Sequence, residues 1–265
     1  MSGGQKFSKI DLAQAYLQME VDDDSKKYLT INTTKGLFAY NRLPFGIASA
    51  PALFQRAMEQ ILQGCQGTQV YFDDIMVTGV HDDEHLENLE AVLDKLAAYG
   101  LHLRKKKCDF MQPSMEYLGH IVDSEGHHMD TSKVQAVVDA PAPKDVHELK
   151  SLLGMVNYYA RFVPNLSTAL HPLNRLLGKG VQWKWDNSCE SAFNKVKSAL
   201  TSAKVLVHYS ADSHLILACD ASAYGIGAVI SHIMEDGSER PIAFTSRSLT
   251  KTERHRTLLA NIAGF

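Results

Sequence analysis

No run of about 18 apolar residues occurs in the sequence, so it offers no candidate for a membrane-spanning helix. No basic-then-apolar leader of the secretory kind opens it. Cysteine is sparse: Cys65, Cys108, Cys189 and Cys219 stand far apart, with no Cys-x-x-Cys pair. This spacing argues against a thiolate metal site and for reduced thiols in an intracellular compartment, cytoplasmic or nuclear. Internal repeats and low-complexity tracts are absent as well. Positive charge is in short supply, with a net charge of −3. A protein that grips nucleic acid ordinarily carries a basic patch, because phosphate neutralisation dominates affinity. The one basic run is Arg104-Lys105-Lys106-Lys107, which reads equally well as a solvated strand edge. Any grip on a duplex must therefore be local.

What is present centres on two adjacent acids. Gln69-Val70-Tyr71-Phe72 leads into Asp73-Asp74, and Ile75-Met76-Val77 follows. The β-branched and aromatic flanks predict two short strands, with the acids at the tight turn of a hairpin. Adjacent carboxylates repel, so a strand tip carrying both calls for a compensating charge, a divalent metal above all. A solvated acidic turn accounts for the same residues about as well.

Two further stretches change that balance. Phe7-Ser8-Lys9-Ile10-Asp11-Leu12 ends another short apolar strand on an acid, and Leu43-Pro44-Phe45-Gly46-Ile47-Ala48-Ser49-Ala50-Pro51 lies between the two acidic sites. In this order the three resemble the reverse transcriptase palm of gypsy-type long-terminal-repeat retrotransposons, and matches continue to about residue 250. The resemblance implies an α+β fold. Its parts are a polymerase palm of antiparallel sheet with packed helices (1–122), a helical thumb and connection (123–180), and a connection helix with a truncated ribonuclease H-like β-meander (181–265). It also implies that most of the fingers lie upstream of Asp11, absent from the short opening Met1-Ser2-Gly3-Gly4.

Periodicity supplies the elements. Lys26 to Arg42 predicts a hairpin turning at Lys35-Gly36, and Ser49-Ala50-Pro51 opens a helix. In that helix Leu53, Phe54, Ala57, Met58, Ile61 and Leu62 share an apolar face. Asp82-Asp83-Glu84 starts a second helix buried through Leu86, Leu89, Leu93 and Leu96 and ended by Gly100. Leu101 to Met111 predicts a strand, and Gly126-His127-His128 a polar turn rather than a metal site. Asp145 with Glu148 forms a capping box before Leu149, Leu152, Leu153, Val156 and Tyr159. Trp183 and Trp185 predict opposite faces of an extended segment. Beyond an Asp186-capped helix, Leu215 to Cys219, Tyr224 to Ile233 and Arg240 to Ser246 predict three strands, with Asp220 ending the first.

The chemistry implied by the resemblance is two-metal nucleotidyl transfer, with Mg²⁺ (or Mn²⁺), a primer on an RNA or DNA template, and deoxynucleoside triphosphates. Asp11, Asp73 and Asp74 are the catalytic acids. The metal residues are Asp11, Asp73, Asp74 and the Leu12 carbonyl, with Asp11 and Asp73 the leading ligands and Asp74 expected to shape the field and position the primer end. Tyr16 and Phe45 are placed at the incoming nucleotide, where the Tyr16 ring excludes a 2′-hydroxyl. Phe72, Leu118 and Gly119 are placed at the primer end, the last two in the turn of Tyr117-Leu118-Gly119-His120. Asp220 looks like a ribonuclease H acid without its companions: Lys251-Thr252-Glu253-Arg254 matches the lead to the next acid, but residues 255–265 hold none. An interruption of the reading frame near residue 254 would explain this, and an uncovered meander prone to association is expected. Two other readings stay open, a catalytically inactive remnant that binds nucleic acid or protein, and a protein whose activity is ribonuclease H alone.

Overall fold

Four antiparallel strands carry the acidic hairpin. In the computed structural model, which describes residues 3–250 and 252–254, these are β1 (Lys6–Asp11), β4 (Thr68–Tyr71), β5 (Asp74–Gly79) and β6 (Asp109–Gln112). They lie in the order β4-β5-β1-β6. The described residues divide into two compact units. The first runs to Leu118 and includes Val122–Ser124; the second holds Gly119–Ile121 and the chain from Glu125 onward.

In the first unit, the short helix α1 (Asp23–Lys26) precedes an exposed hairpin of β2 (Thr30–Thr33) and β3 (Gly36–Ala39). Helices α2 (Ala50–Ile61) and α3 (Asp82–Ala98) pack on one face of the four-stranded sheet. Strand period two sends Ile10, Leu12, Ile75 and Val77 into that layer, where Phe54, Met58, Leu89, Val92 and Leu96 meet them. Full burial of each large side chain there contributes roughly 1.5–3 kcal/mol. Gly79 permits the approach, because a Cβ at that position would strike the backbone of His85. The opposite face carries Phe7 and Met76, which pack with Met115, Tyr117 and Val122.

Two helical phases differ from expectation. Leu53 on α2 and Leu86 on α3 are half-exposed, and α3 instead buries His85, Asn88, Leu89, Val92 and Leu96. Hydrogen bonds stabilise that rotated phase: Asn88 Nδ2 donates to the Thr78 carbonyl at 2.9 Å, and the His85 Nε2 lies 2.8 Å from Ser8 Oγ. Residues 101–111 are not one strand. A 3₁₀ turn at Lys105–Lys107 interrupts them, since Arg104 N–H bonds the Asp11 carbonyl and bends the chain across β1.

Strands β7 (Ser114–Tyr117), β8 (His120–Asp123) and β9 (His127–Met129) follow. Among the helices of the second unit, α4 (Thr131–Asp139), α5 (Val146–Tyr158), α6 (Leu166–Ala169), α7 (His171–Arg175) and α8 (Asn187–Thr201) surround one apolar core. Asp145 caps α5 through Glu148 N–H at 2.8 Å, and Asp186 caps α8 through Cys189 N–H at 3.0 Å. Leu149, Leu152, Leu153 and Val156 are buried as the period predicts. His127 lies in a strand rather than a polar turn, because it pairs with Leu206 by two backbone bonds of 2.7 and 3.0 Å. Trp183 and Trp185 do not face opposite ways. Their segment is irregular, so period two does not apply, and their rings stack 6.2 Å apart against the core.

The meander of β10 (Leu215–Ala221), β11 (Gly225–Ile233) and β12 (Glu239–Ser248) is partly covered, contrary to expectation. Ser167 N–H on α6 bonds Ser246 Oγ at 3.0 Å, and Thr168 Oγ1 meets Ser222 Oγ at 2.9 Å. Leu215 and Leu217 on β10 remain exposed. The expectation about residues 255–265 falls outside the described residues. No helix among the described residues is long and apolar enough to cross a membrane.

Candidate active site

Strand pairing brings the first acid to the hairpin. Asp11 stands directly opposite Asp74, and Leu12 N–H donates to the Asp73 carbonyl at 3.2 Å. Tyr71 pairs with Asp74, so Phe72 and Asp73 form the two-residue turn. Phe72 takes a left-handed φ of 52°, the conformation such tight hairpins require. Asp73 is exposed at the tip, Asp74 is half-buried, and Asp11 is only 9% exposed.

Each facing carboxylate has cations nearby. Lys9 Nζ lies 3.2 Å from Asp74 Oδ1. Arg104 Nε and Lys107 Nζ stand 3.9 and 4.0 Å from the two oxygens of Asp11. Arg104 and Lys107 of the basic run therefore flank Asp11. Asp11 Oδ1 is buried and has no hydrogen-bond partner. Tyr117 hydroxyl reaches the Asp74 carbonyl at 3.5 Å. Burial first, then the Asp74 charge, raises the pKa of that phenol and keeps it neutral.

Leu12 buries its side chain in the helix-facing core, which leaves its backbone as the only group it can offer. Tyr16 lies in a 3₁₀ turn, Ala15–Gln18, with its ring 5.2 Å from buried Phe54 and 5.3 Å from exposed Phe45. The two residues expected at the incoming nucleotide are thus in contact with each other. Leu118 and Gly119 both have positive φ, 48° and 69°, as a type I′ hairpin turn requires. Gly119 also leaves room for Tyr158, whose hydroxyl a Cβ would strike.

In the second unit, Asp220 is exposed and accepts a long 3.5 Å bond from Asn165 Nδ2. Glu253 is committed elsewhere: Arg247 donates two bonds to it at 2.8 and 2.9 Å, and Thr250 N–H a third at 2.8 Å. The Arg247 bonds are foremost in lowering its pKa to about 2.

Sequence reasoning missed Gln55 on α2. Its Oε1 accepts from Phe72 N–H at 2.7 Å and its Nε2 donates to the Val70 carbonyl at 3.1 Å. A glutamine at the edge of an apolar helical face was the available signal. Gln18 was missed too, although it braces the loop under Tyr16 through bonds to Ala13 and His102.

Residues 1–122 match the family described as "Reverse transcriptase (RNA-dependent DNA polymerase)". The chain carries a reverse transcriptase domain. Residues 185–262 match the "RNase H-like domain found in reverse transcriptase". The Transposon Tf2-3 and Tf2-7 polyproteins of Schizosaccharomyces pombe are each 32% identical to this chain over 255 residues. Those alignments cover 96% of the chain but only 19% of either polyprotein. The foamy viral protease-reverse transcriptase solved with double-stranded DNA superposes with a TM-score of 0.83 at 26% identity, covering 98% of this chain and 48% of that one. Solved with an RNA/DNA hybrid, it superposes at 0.82, covering 97% and 37%.

Reverse transcriptases depend on divalent metal. No group of three or more metal-ligating side chains converges among the described residues of this domain. That is compatible with Mg²⁺, which is usually held by one or two carboxylates together with water and substrate phosphates. The orphaned, buried Asp11 Oδ1 is the acceptor such an ion would satisfy, and every donor offered is a hard oxygen.

Proposed function

We propose that the chain is the polymerase part of a gypsy-type long-terminal-repeat retrotransposon polyprotein and takes part in RNA-directed DNA synthesis. In this reading residues 1–122 form the palm with a piece of the fingers, 123–180 the thumb and connection, and 181–265 a connection helix with ribonuclease H-like strands. The observation that carries it is the pairing of Asp11 with Asp74 across β1 and β5, with Asp73 at the adjoining hairpin tip.

Asp11 and Asp73 would hold Mg²⁺ or Mn²⁺, and the Leu12 carbonyl would serve as a further oxygen. When bound, the metal supplies charge stabilisation for the primer hydroxyl and the departing pyrophosphate. Asp74, held by Lys9, shapes the field beside them. Tyr16, backed by Phe54, presents a ring edge to the sugar of a deoxynucleoside triphosphate, and Phe45 adds an apolar contact. Phe72 and the Leu118–Gly119 turn position the 3′ end of a primer on an RNA or DNA template. An enzyme of this kind would work inside the cell, in the cytoplasm or the nucleus. Its described cysteines are all free thiols, in keeping with such a compartment.

Primer extension on an RNA template with Mg²⁺ tests the reading, using a polypeptide that includes the fingers segment. Asp73→Asn is expected to lower extension by about 100-fold or more with the fold intact, as for the loss of a group acting only on the transition state. Near-normal extension by that variant overturns the assignment.

A further inference from the structure

The two facing acids of the palm are not equivalent, and the difference lies in Lys9. Lys9 and Asp11 are two residues apart on β1, so both side chains leave the same face of the sheet. Asp74 sits across from Asp11 on that face. Lys9 Nζ lies 3.2 Å from Asp74 Oδ1, and the two side chains are 25% and 28% exposed, so solvent screens the pair only in part. Arg104 and Lys107 stand farther from Asp11, at 3.9 and 4.0 Å, on side chains 44% and 58% exposed. Solvent therefore screens these two cations more strongly than it screens Lys9. Asp11 Oδ1, by contrast, is buried and has no hydrogen-bond partner.

A divalent cation entering this face therefore meets two different carboxylates. At Asp11 it fills an unsatisfied acceptor. At Asp74 it meets an ammonium group already on one oxygen, and like charges at contact distance repel. We infer that Lys9 is a positioning residue that keeps Asp74 as its own ion-pair partner, leaving Asp11 and Asp73 as the carboxylates open to metal. The inference rests on the polymerase reading and deepens it by assigning unequal roles to the acids.

Mn²⁺ titration of the 265-residue chain, followed by the electron paramagnetic resonance signal of free Mn²⁺ and without nucleotide, tests the inference apart from catalysis. Lys9→Met removes a positive charge and releases a carboxylate, so Mn²⁺ should bind about three- to tenfold more tightly. Lys9→Arg should stay within about twofold of the parent, because the ion pair is kept. The gain should vanish in the Lys9→Met, Asp74→Asn double variant. Unchanged or weaker binding in Lys9→Met, or a gain that survives Asp74→Asn, overturns the inference. If circular dichroism shows Lys9→Met unfolded, Asp74→Asn alone decides: affinity within about twofold supports it, and a loss of about tenfold overturns it. Asp11→Asn separates the two readings. Loss of Mn²⁺ binding there with Lys9→Met unmoved rejects the role of Lys9 alone. Unchanged binding in Asp11→Asn rejects the metal site, and the role of Lys9 with it.

Discussion

Gln55 Oε1 accepts the Phe72 N–H at 2.7 Å, which ties a helix to the left-handed residue of the acidic turn. A second bond, from Gln55 Nε2 to the Val70 carbonyl, braces the strand that enters the turn. Asp73 follows Phe72 directly, so its direction depends on this brace. Gln55→Leu is expected to destabilise the protein by about 1–2 kcal/mol, since it leaves a part-buried N–H unpaired. It should lower primer extension by about tenfold through misplacement of Asp73. Thermal melts and extension kinetics measure the two effects; unimpaired extension would remove Gln55 from the site.

Tyr16 stands between buried Phe54 and exposed Phe45, so its ring has a fixed back and an open edge. Replacing it by Ala takes away the edge and leaves the acids in place. The ratio of ribonucleotide to deoxyribonucleotide incorporation should rise by about tenfold or more, the scale of losing one steric clash. An unchanged ratio in the same extension assay would show that Tyr16 only packs.

The second unit should lose stability in mild acid. Burial, reinforced by the nearby His208 and Arg161, lowers the pKa of His127 to about 4. A histidine kept neutral by the fold contributes its full share above the unfolded value near 6.5, and that share is lost as pH falls from 6.5 toward 4, where the unfolded chain binds the extra proton. The loss should be on the order of 2–3 kcal/mol. Urea denaturation at a series of pH values should therefore show a falling midpoint over that window, with a shallower slope in His127→Gln. An equal slope in both proteins would contradict the assignment.

Hybrid-dependent RNA cleavage is not expected of this chain. Asp220 is exposed, and Glu253 is already bound by Arg247 and Thr250. One carboxylate cannot clamp the two metals that this reaction uses. Incubating the chain with an RNA–DNA hybrid and Mg²⁺ or Mn²⁺ checks this. Cleavage that disappears in Asp220→Asn would refute it.

The acidic hairpin was legible in the sequence because β-branched and aromatic flanks specify it locally, but its two-residue turn is Phe72-Asp73 rather than Asp73-Asp74, and Asp74 already belongs to β5. Asp11 was legible as a strand end, but its pairing with Asp74 rather than Asp73 depends on a register that only tertiary structure sets. Helix α3 shows why apolar periodicity fails by one position. His85 and Asn88 satisfy their polar atoms against Ser8 and Thr78, so the buried stripe runs through them and Leu86 turns outward. The position of Arg104 and Lys107 beside Asp11 was not legible, because the 3₁₀ turn that places them depends on a bond to the distant Asp11 carbonyl. The link from Gln55 to Phe72 was equally invisible, since nothing in a helical pattern tells which strand a polar side chain will reach.

The stacked pair Trp183 and Trp185 determines what light can report. These are the only two tryptophans in the sequence, and both belong to the second unit. Indole emission is therefore blind to the palm. A denaturation curve followed at tryptophan wavelengths would trace the second unit alone, while the unit holding Asp11, Asp73 and Asp74 could unfold earlier or later without a signal. Tyrosine absorbance or far-ultraviolet dichroism would have to be read beside it, and any gap between the curves would measure how independently the two units melt.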